Sequence, residues 1–336
     1  MKIKILRREF VFELGAVPFS SVHASTIARY GGRIFAAWFG GAGEGKPDVR
    51  IWVSSRDGCG WSEPIPVSPD DGVPHWNPVL YSDGEELALF YKKGTSPRAW
   101  HTMITRSRDG KVWDEPAELV PGDNFPRGPV KNKPVRLSNG DLLAPCSVED
   151  TRRRWQIYAD ILPAGSGEWQ LSEPIPFYAE GRLIKLKDEL LPDSDGLIQP
   201  SAWEDPGKPG RVYMLARSAF GYVYRTVSED YGRTWEPARP TEVPNNNSGL
   251  DCALLPGGAV VLCCNPVGQN WGKRTPLSLL CSLDNGESWE KLCDLETEPD
   301  CEFSYPAVIA EGRALHITYT HKRQNIAYVN AELEYE

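Results

Sequence analysis

The sequence predicts an all-β protein, a six-bladed β-propeller, and two observations support this prediction. The first is a recurring frame of Ser, any residue, Asp, any residue, Gly, any residue, Thr or Ser, and Trp. It is complete at 228–235 and 282–289 and one residue shorter at 55–61 and 107–113. The second is the near absence of helical periodicity: short runs rich in β-branched and aromatic residues alternate with turns, and 31 Gly and 29 Pro interrupt any long helix.

The recurring frame is typical of a tight turn between two strands. Asp and Ser side chains bond to nearby backbone N–H groups, Gly adopts the positive φ that such a turn requires, and the Trp folds back as an apolar plug. A more degenerate fifth copy covers 165–169, and the tryptophans at 61, 113, 169, 235 and 289 are 52, 56, 66 and 54 residues apart. A near-constant spacing of this size indicates repeated supersecondary units.

Each repeat contains three predicted strands, the turn, and a fourth strand after the Trp. The last repeat has no Asp-containing turn, whereas the N-terminal run Ile3–Leu14 is a strand without a partner. We therefore expect this run to join the last blade and close the ring, because a sheet must protect its edges. The first three strands of the predicted blades span 23–54, 77–107, 132–161, 198–228, 250–282 and 304–331.

Bulk composition narrows the class of protein. The net charge of −9 argues against a nucleic-acid partner. The eight Cys form no CxxC pair, and the carboxylates lack the spacing of EF-hand or zinc ligands, so we expect no metal and no cofactor. No apolar run is long enough to span a membrane, and residues 1–8 lack the core of a signal peptide. We expect one domain over residues 1–336 in the cytoplasm, with a removed leader as the alternative; the oligomeric state is not indicated.

The starts of the innermost strands form a candidate site. In a propeller the first strand of each blade faces the central channel, so these starts meet at one mouth, where ligands commonly bind. Four of the six starts combine a polar residue with Pro. The polar residues predicted to line the mouth are His23, Asn77, Asn132, Lys133, Gln199, Asp251 and Tyr305.

The loops after the second strands are expected to add charged side chains to this mouth. Arg217 and Arg274, from adjacent blades, indicate a fork for a carboxylate, and Arg323 supplies another cation. Glu44 and Asp48 supply carboxyl groups from the first-blade loop. An acidic chain with a locally positive pocket is suited to binding an acidic sugar.

These motifs resemble the sialidase (neuraminidase) superfamily, whose Asp boxes match the four turn frames over nearly the whole chain. Arg217 and Arg274 stand before the last two boxes as the second and third arginines of sialidases do. Tyr305 opens the inner strand of the last blade, like the sialidase nucleophile, and the loop 40–48 corresponds to the one that carries the acid/base Asp. The resemblance implies a propeller that removes a terminal acidic sugar.

Two positions depart from the sialidase pattern. His23 stands where sialidases carry their first arginine, and Gln199 stands where they carry the glutamate that activates the tyrosine. A tyrosine without a neighbouring base is a weak nucleophile. Glu302 is a candidate substitute, although strand alternation predicts that it points to the opposite face from Tyr305.

Three functions remain open at this stage. The first is an exo-acting glycoside hydrolase for a nonulosonic acid or uronate, with Tyr305 as nucleophile and Asp48 or Glu44 as the acid. The second is a lyase acting on a uronate, in which His23 or His75 removes the α-proton. The third is a glycan-binding propeller without turnover, with stacking on sugar faces by Trp38, Trp52, Trp76, Trp100 and Trp271.

Overall fold

The computed structural model describes residues 1–149, 154–185 and 195–334. Within these ranges every regular element is a β-strand, as the sequence predicts. No helix in them is long and apolar enough to span a membrane.

The strands are numbered in chain order. The first thirteen are β1 (Lys2–Phe10), β2 (Ser21–Tyr30), β3 (Arg33–Gly41), β4 (Arg50–Arg56), β5 (Ile65–Pro66), β6 (His75–Ser82), β7 (Leu87–Lys93), β8 (His101–Ser107), β9 (Ala117–Glu118), β10 (Val135–Arg136), β11 (Leu142–Glu149), β12 (Arg154–Leu162) and β13 (Gln170–Leu171). The others are β14 (Phe177–Ala179), β15 (Arg182–Ile184), β16 (Asp195–Glu204), β17 (Val212–Ser218), β18 (Tyr222–Ser228), β19 (Arg239–Pro244), β20 (Asp251–Leu254), β21 (Val260–Cys264), β22 (Leu277–Ser282), β23 (Glu290–Glu296), β24 (Phe303–Glu311), β25 (Ala314–His321) and β26 (Asn325–Glu334).

The chain divides into two compact units. Unit 1 is Met1–Pro126 with Glu302–Glu336, and unit 2 is Arg127–Cys301. Unit 1 contains three four-stranded sheets, with strand orders β1-β26-β25-β24, β2-β3-β4-β5 and β6-β7-β8-β9. Unit 2 contains the sheet β20-β21-β22-β23, the hairpin β14-β15, and an eight-stranded sheet. The order in the latter is β10-β11-β12-β16-β17-β18-β19, with β13 attached to β12.

The prediction of six separate blades is therefore wrong in part: the described residues form four separate four-stranded sheets. Strands of the predicted third and fourth blades belong to the one eight-stranded sheet. Both β12 and β16 start before their predicted first residues, and their ends pair in parallel, with Arg154 opposite Asp195 and Trp155 opposite Gly196. Closure into a ring stays a prediction, as does the single domain.

The N-terminal strand lies where the sequence predicts, beside the last strand. β1 pairs antiparallel with β26, from Lys2 opposite Glu334 to Phe10 opposite Ala327. Lys4 and Arg8 lie along this edge strand, and charged residues at an edge discourage pairing with another chain.

The middle strands of the sheets form the core. β3, β7, β17 and β21 are buried along nearly their whole lengths, which explains their continuous apolar runs. The eight cysteines, all within the described ranges, form no disulfide, and five of them are buried. Burial raises the pKa of Cys252 to about 12, so this thiol stays protonated and acts as a small apolar side chain.

The Asp-box turns have the hydrogen bonds that the sequence predicts. In the box that starts at Ser228, the serine Oγ donates to Asp230 Oδ1 at 2.8 Å and accepts from the N–H of Gly232 at 2.9 Å. The N–H of Thr234 donates to Asp230 Oδ1 at 2.8 Å. The box at 282–289 repeats all three bonds. The Asp230 carboxylate thus accepts hydrogen bonds from the backbone N–H groups of Arg233 and Thr234 in its turn.

Gly110 tests how tightly one such turn packs. Its φ is +71°, and an added Cβ would lie 2.2 Å from the ring of Phe35, which is fully buried. Gly84, in the hairpin of the same sheet, has φ +98° and open space around it. We expect Gly84→Ala to cost about 1 kcal/mol for the strained backbone and Gly110→Ala a further 1–3 kcal/mol, roughly, for overpacking. Equal unfolding free energies for the two variants, measured in urea, would contradict this packing.

Four inner strands share a β-bulge. Each of β2, β6, β16 and β24 has two residues opposite one on its neighbour. The first bulged residue has positive φ in every case: Ala24 (56°), Asn77 (40°), Gln199 (52°) and Tyr305 (51°). In the last three the next residue is Pro, which disfavours the right-handed helical region before it and has no N–H to pair. Three of the four polar-Pro starts of the sequence are therefore strained bulges, which can re-aim a side chain. The fourth, Lys133-Pro134, was predicted to begin a strand but lies just before β10. The equivalent position in β2 is Ala24, one residue after His23.

Candidate active site

The bulge in β24 brings Tyr305 against His23 in unit 1. The two ring centroids are 4.1 Å apart, and both side chains are buried. Ser25 Oγ donates to the carbonyl oxygen of Tyr305 at 3.2 Å, which joins β2 to the bulge. His23 Nδ1 lies 3.0 Å from Thr320 Oγ1. We call His23, Glu302, Tyr305, Thr320 and Arg323 the histidine–tyrosine cluster.

Arg323 forms ion pairs with Glu302 of this cluster and with Glu44 outside it. Arg323 donates from Nε to Glu302 Oε1 at 2.9 Å and from Nη1 to Glu44 Oε2 at 2.5 Å. Burial opposes the charge of this guanidinium, but Glu44 and Glu302 outweigh it and raise the pKa of Arg323 above its ordinary value. The predicted residues His23, Tyr305, Glu44 and Arg323 therefore share one neighbourhood, although Arg323 is neutralised by two carboxylates.

Glu302 departs from the alternation argument. Its Oε1 lies 3.9 Å from His23 Nδ1 and accepts a hydrogen bond from Ser304 Oγ at 2.8 Å. Alternation predicts the opposite face, and that prediction is wrong because Glu302 precedes the first residue of β24 and the strand is bulged at Tyr305. Period-two reasoning holds only within an unbroken ladder.

Unit 2 contains a second group, built on Arg217 at the end of β17. The buried guanidinium donates to two amide oxygens, Gln199 Oε1 and Asn247 Oδ1, both at 3.0 Å. Its carbon atom Cζ lies 5.5 Å from the ring centroid of Trp155, within the range of a cation–π contact. Trp155 in turn contacts the exposed Trp271 edge to face, with centroids 6.1 Å apart. We call Arg217, Gln199, Asn247 and Trp155 the Arg217 cluster.

Two lysines and an aspartate lie near the Arg217 cluster. Lys133 Nζ donates to both carboxylate oxygens of Asp251, at 3.0 and 2.9 Å, so these two predicted binding residues neutralise each other. Lys131 Nζ donates to Asn132 Oδ1 and to the carbonyl oxygen of Leu250, both at 2.9 Å. Burial lowers the pKa of Lys131 to about 8. The charge of Asp251 opposes this shift, and the charge of Lys133 adds to it.

Asn132 supports the Arg217 cluster through the backbone. Its Nδ2 donates to the carbonyl oxygens of Gln199 and Pro200, at 3.0 and 2.9 Å. These bonds hold the bulge whose side chain faces Arg217. The predicted residue Asn132 therefore positions Gln199.

Other predicted residues have separate surroundings. Asp48 accepts a hydrogen bond from the N–H of Ala42 at 2.7 Å and so closes its own exposed loop. Asn77 is buried in the bulge of β6. Arg274 is half-buried in the loop before β22, rather than in the strand as predicted.

His75 is fully buried, which is not the usual setting of a catalytic base. Its Nδ1 lies 2.8 Å from Ser68 Oγ and its Nε2 lies 3.6 Å from Asp71 Oδ1. Burial, opposed by the charge of Asp71, lowers the pKa of His75 to about 4. The side chain is therefore neutral near pH 7 and packs edge-on against Tyr91.

His75 should make folding stability depend on pH. Because its folded pKa lies below the ordinary 6.5, the stability that is present above pH 6.5 is lost as the pH falls toward 4. We expect this loss to be on the order of 2 kcal/mol and to shrink in His75→Gln. His101→Gln, at a partly exposed histidine, is the control. Urea unfolding at several pH values measures the effect, and an unchanged pH slope in His75→Gln would count against it.

Several residues of these clusters were missed by sequence reasoning. Asn247 lies in the run Asn245-Asn-Asn-Ser248, which is fully buried and therefore unusual for polar residues. Its Nδ2 donates to Asn270 Oδ1 at 3.0 Å, which ties this run to the loop before β22. The uninterrupted asparagine run was the available signal. Thr320 and Trp155 carried none, because each lies in an ordinary strand pattern.

A metal centre is not evident in the described ranges. No group of three or more His, Cys, Asp or Glu side chains there could hold a metal ion.

Four-stranded antiparallel sheets, repeated Asp-box turns and bulged strands give the chain the all-β arrangement of a β-propeller protein. Residues 32–317 match the family model described as a BNR repeat-like domain. The chain belongs to this family.

Solved structures confirm the fold. The Hadza microbial sialidase Hz136 has a TM-score of 0.76 and 15% identity, over 97% of this chain and 68% of that one. A Dyadobacter fermentans protein of unknown function has a TM-score of 0.76 and 16% identity, over 99% of both chains. Trypanosoma rangeli sialidase in complex with the inhibitor DANA has a TM-score of 0.70 and 14% identity, over 93% of this chain and 55% of that one. The chain thus spans about half of the last protein. No curated protein matches the sequence.

Proposed function

We propose that this protein is an exo-acting glycoside hydrolase that removes a terminal acidic sugar, with Tyr305 as its nucleophile. The observation that supports this most directly is the 4.1 Å separation between the Tyr305 and His23 rings. A phenol attacks an anomeric carbon only when a neighbouring base removes its proton. His23 would be such a base. It stands where sialidases carry their first arginine, and Gln199 stands where they carry the activating glutamate.

The proposed reaction has two steps. Tyr305 Oη attacks the anomeric carbon while the glycosidic C–O bond breaks and the leaving oxygen takes a proton from a carboxylic acid. Water then hydrolyses the glycosyl–tyrosine bond and the tyrosine recovers its proton. Glu44 is committed to Arg323 by an ion pair, whereas Asp48 holds only a backbone N–H among the contacts described above. Glu44 lies beside the histidine–tyrosine cluster and Asp48 lies in its own loop, so both residues stay candidates for the acid.

We propose separately that Arg217 binds a sugar carboxylate. Its guanidinium donates to two amide oxygens, those of Gln199 and Asn247, which fix the orientation of the fork. A planar guanidinium fork suits a carboxylate. A structurally similar protein supports an acidic ligand: Trypanosoma rangeli sialidase has been solved in complex with sialic acid.

A lyase acting on a uronate is the second candidate. A histidine against a tyrosine also suits elimination, in which one group removes the α-proton and the other protonates the leaving oxygen. The same two side chains would then act, but no covalent sugar–tyrosine bond would form. The products distinguish the two reactions.

The test uses the full chain and aryl glycosides of sialic acid, of another nonulosonic acid and of glucuronic acid. Release of the aryl alcohol with the intact free sugar supports hydrolysis. An unsaturated uronate, seen by its ultraviolet absorbance, supports the lyase. Binding by calorimetry without either product supports a glycan-binding propeller and would reject the hydrolase. Glucose and galactose glycosides serve as neutral controls.

A further inference from the structure

Glu302 lies among groups that link it to His23 at short range. Its Oε1 is 3.9 Å from His23 Nδ1, 2.9 Å from Arg323 Nε and 2.8 Å from Ser304 Oγ. The backbone holds it as well, because the N–H of Lys322 donates to the carbonyl oxygen of Glu302 at 2.7 Å. The carboxylate thus has a defined place beside an imidazole that is almost fully buried.

We propose that Glu302 is a positioning residue that holds His23 in the tautomer and charge state needed to take the proton of Tyr305. This inference rests on the proposed hydrolase function. The three side chains would act in the order carboxylate, imidazole and nucleophile, as in hydrolases that use an acid–histidine–serine relay.

The two nitrogens of His23 would have different tasks. Nδ1 faces Thr320 Oγ1 at 3.0 Å and Glu302 at 3.9 Å, so a proton on Nδ1 is favoured. Proton transfer then falls to Nε2. The O–H bond of Tyr305 breaks, its proton goes to Nε2, and the phenolic oxygen bonds to the anomeric carbon as the leaving oxygen departs with the glycosidic electron pair and a proton from the acid. The resulting imidazolium is stabilised by the charge of Glu302.

The stabilisation of the His23 imidazolium also depends on the other groups that face His23. Tyr305 and Glu302 approach from β24 and the residue before it, and the neutral Phe39 and Thr320 approach from β3 and β25. Arg323, in the turn after β25, shares Glu302 and is itself shared with Glu44. Removal of the Glu302 charge would leave His23 near a guanidinium, which disfavours the imidazolium.

The experiment is a proton NMR titration of the histidines in the full chain. There are five, and His23 is assigned by the signal lost in His23→Gln. We expect Glu302→Gln to lower the pKa of His23 by about one pH unit, a tenfold change in proton affinity. Glu302→Asp should restore part of it. If the hydrolase function holds, the acidic limb of the pH–rate profile moves to lower pH with the titration.

Glu311→Gln is the matched control. Glu311 Oε2 lies 3.8 Å from His316 Nε2, which repeats the carboxylate–histidine distance elsewhere in unit 1. This variant should lower the pKa of His316 and leave His23 unchanged. If Glu302→Gln does not fold, Ser304→Ala replaces it, because loss of the Ser304 bond loosens the same carboxylate and should move His23 less in the same direction.

The outcomes separate this inference from the proposed function. A lower His23 pKa in Glu302→Gln supports the link between the two residues. If no acidic sugar is turned over in that case, it is the hydrolase assignment that fails. A His23 signal that titrates alike in the wild type and in Glu302→Gln, or titrates in neither, overturns the inference.

Discussion

Tyr305→Phe should reduce turnover of the best acidic glycoside by about 10³-fold, because it removes the proposed nucleophilic oxygen. The aromatic ring remains, so its packing in the core of unit 1 and the bulge of β24 should persist. Steady-state kinetics measure the loss. Trapping with a fluorinated glycosyl fluoride should place the sugar on Tyr305 in the wild type, as seen by peptide mass spectrometry, and on no residue of the variant.

Tyr30→Phe is the control for this result. Tyr30 Oη donates to the carbonyl oxygens of Glu85 and Arg108, at 3.0 and 2.8 Å, so the variant loses the hydrogen bonds of a partly buried phenol. It should lower stability by about 1 kcal/mol and leave turnover unchanged. The nucleophile assignment fails if Tyr305→Phe keeps turnover within tenfold of the wild type, or if the label lands on another residue.

Arg217→Ala should weaken binding of acidic sugars by about 100-fold, the effect of losing one charge-assisted fork. Affinity for the matching neutral sugars should change little, because the lost interaction is with the carboxylate. Arg217→Lys should recover part of the affinity but not all, since an ammonium group cannot form the planar fork. Calorimetry with sialic acid, glucuronate and glucose measures all three.

Arg217→Ala should also lower stability. It leaves Gln199 Oε1 and Asn247 Oδ1 without a buried donor, at about 1–3 kcal/mol. Binding is therefore compared only where the variant is folded. Arg225→Ala is the control, because Arg225 lies over Tyr213 at 4.7 Å and pairs with Glu287 in the same unit. Equal losses for acidic and neutral sugars in Arg217→Ala would contradict the carboxylate role.

The repeated turns could be recognised without coordinates because their chemistry is local. Ser228, Asp230 and Gly232 bond to one another within five residues, so their order along the chain already contains the geometry. The pairing of the N-terminal strand with the last strand was also predictable. The sequence shows one strand without a partner and one blade that lacks its fourth strand, and pairing the two protects both sheet edges.

The number of separate sheets could not be predicted in the same way. The sequence indicates six blades from six sets of three predicted strands, but the pairing of Trp155 with Gly196 is made at strand ends, where the sequence pattern is weakest. The neighbours of individual side chains could not be predicted from the sequence either. Lys133 was expected to face an acidic sugar, and it lies against Asp251, which is 118 residues away in the chain.

The amino-acid sequence by itself determined an all-β chain of Asp-box repeats, the pairing of its first strand with its last, and the polar-Pro positions that became bulges. Tertiary structure alone decided that Glu302 faces His23, that His23 lies against Tyr305, and that the amide oxygens of Gln199 and Asn247 accept hydrogen bonds from Arg217. The physical reason is the distance along the chain between the residues that interact. Turns and alternation depend on neighbours along the chain, whereas a bulge breaks alternation, and the charge next to a side chain depends on strands far away in sequence.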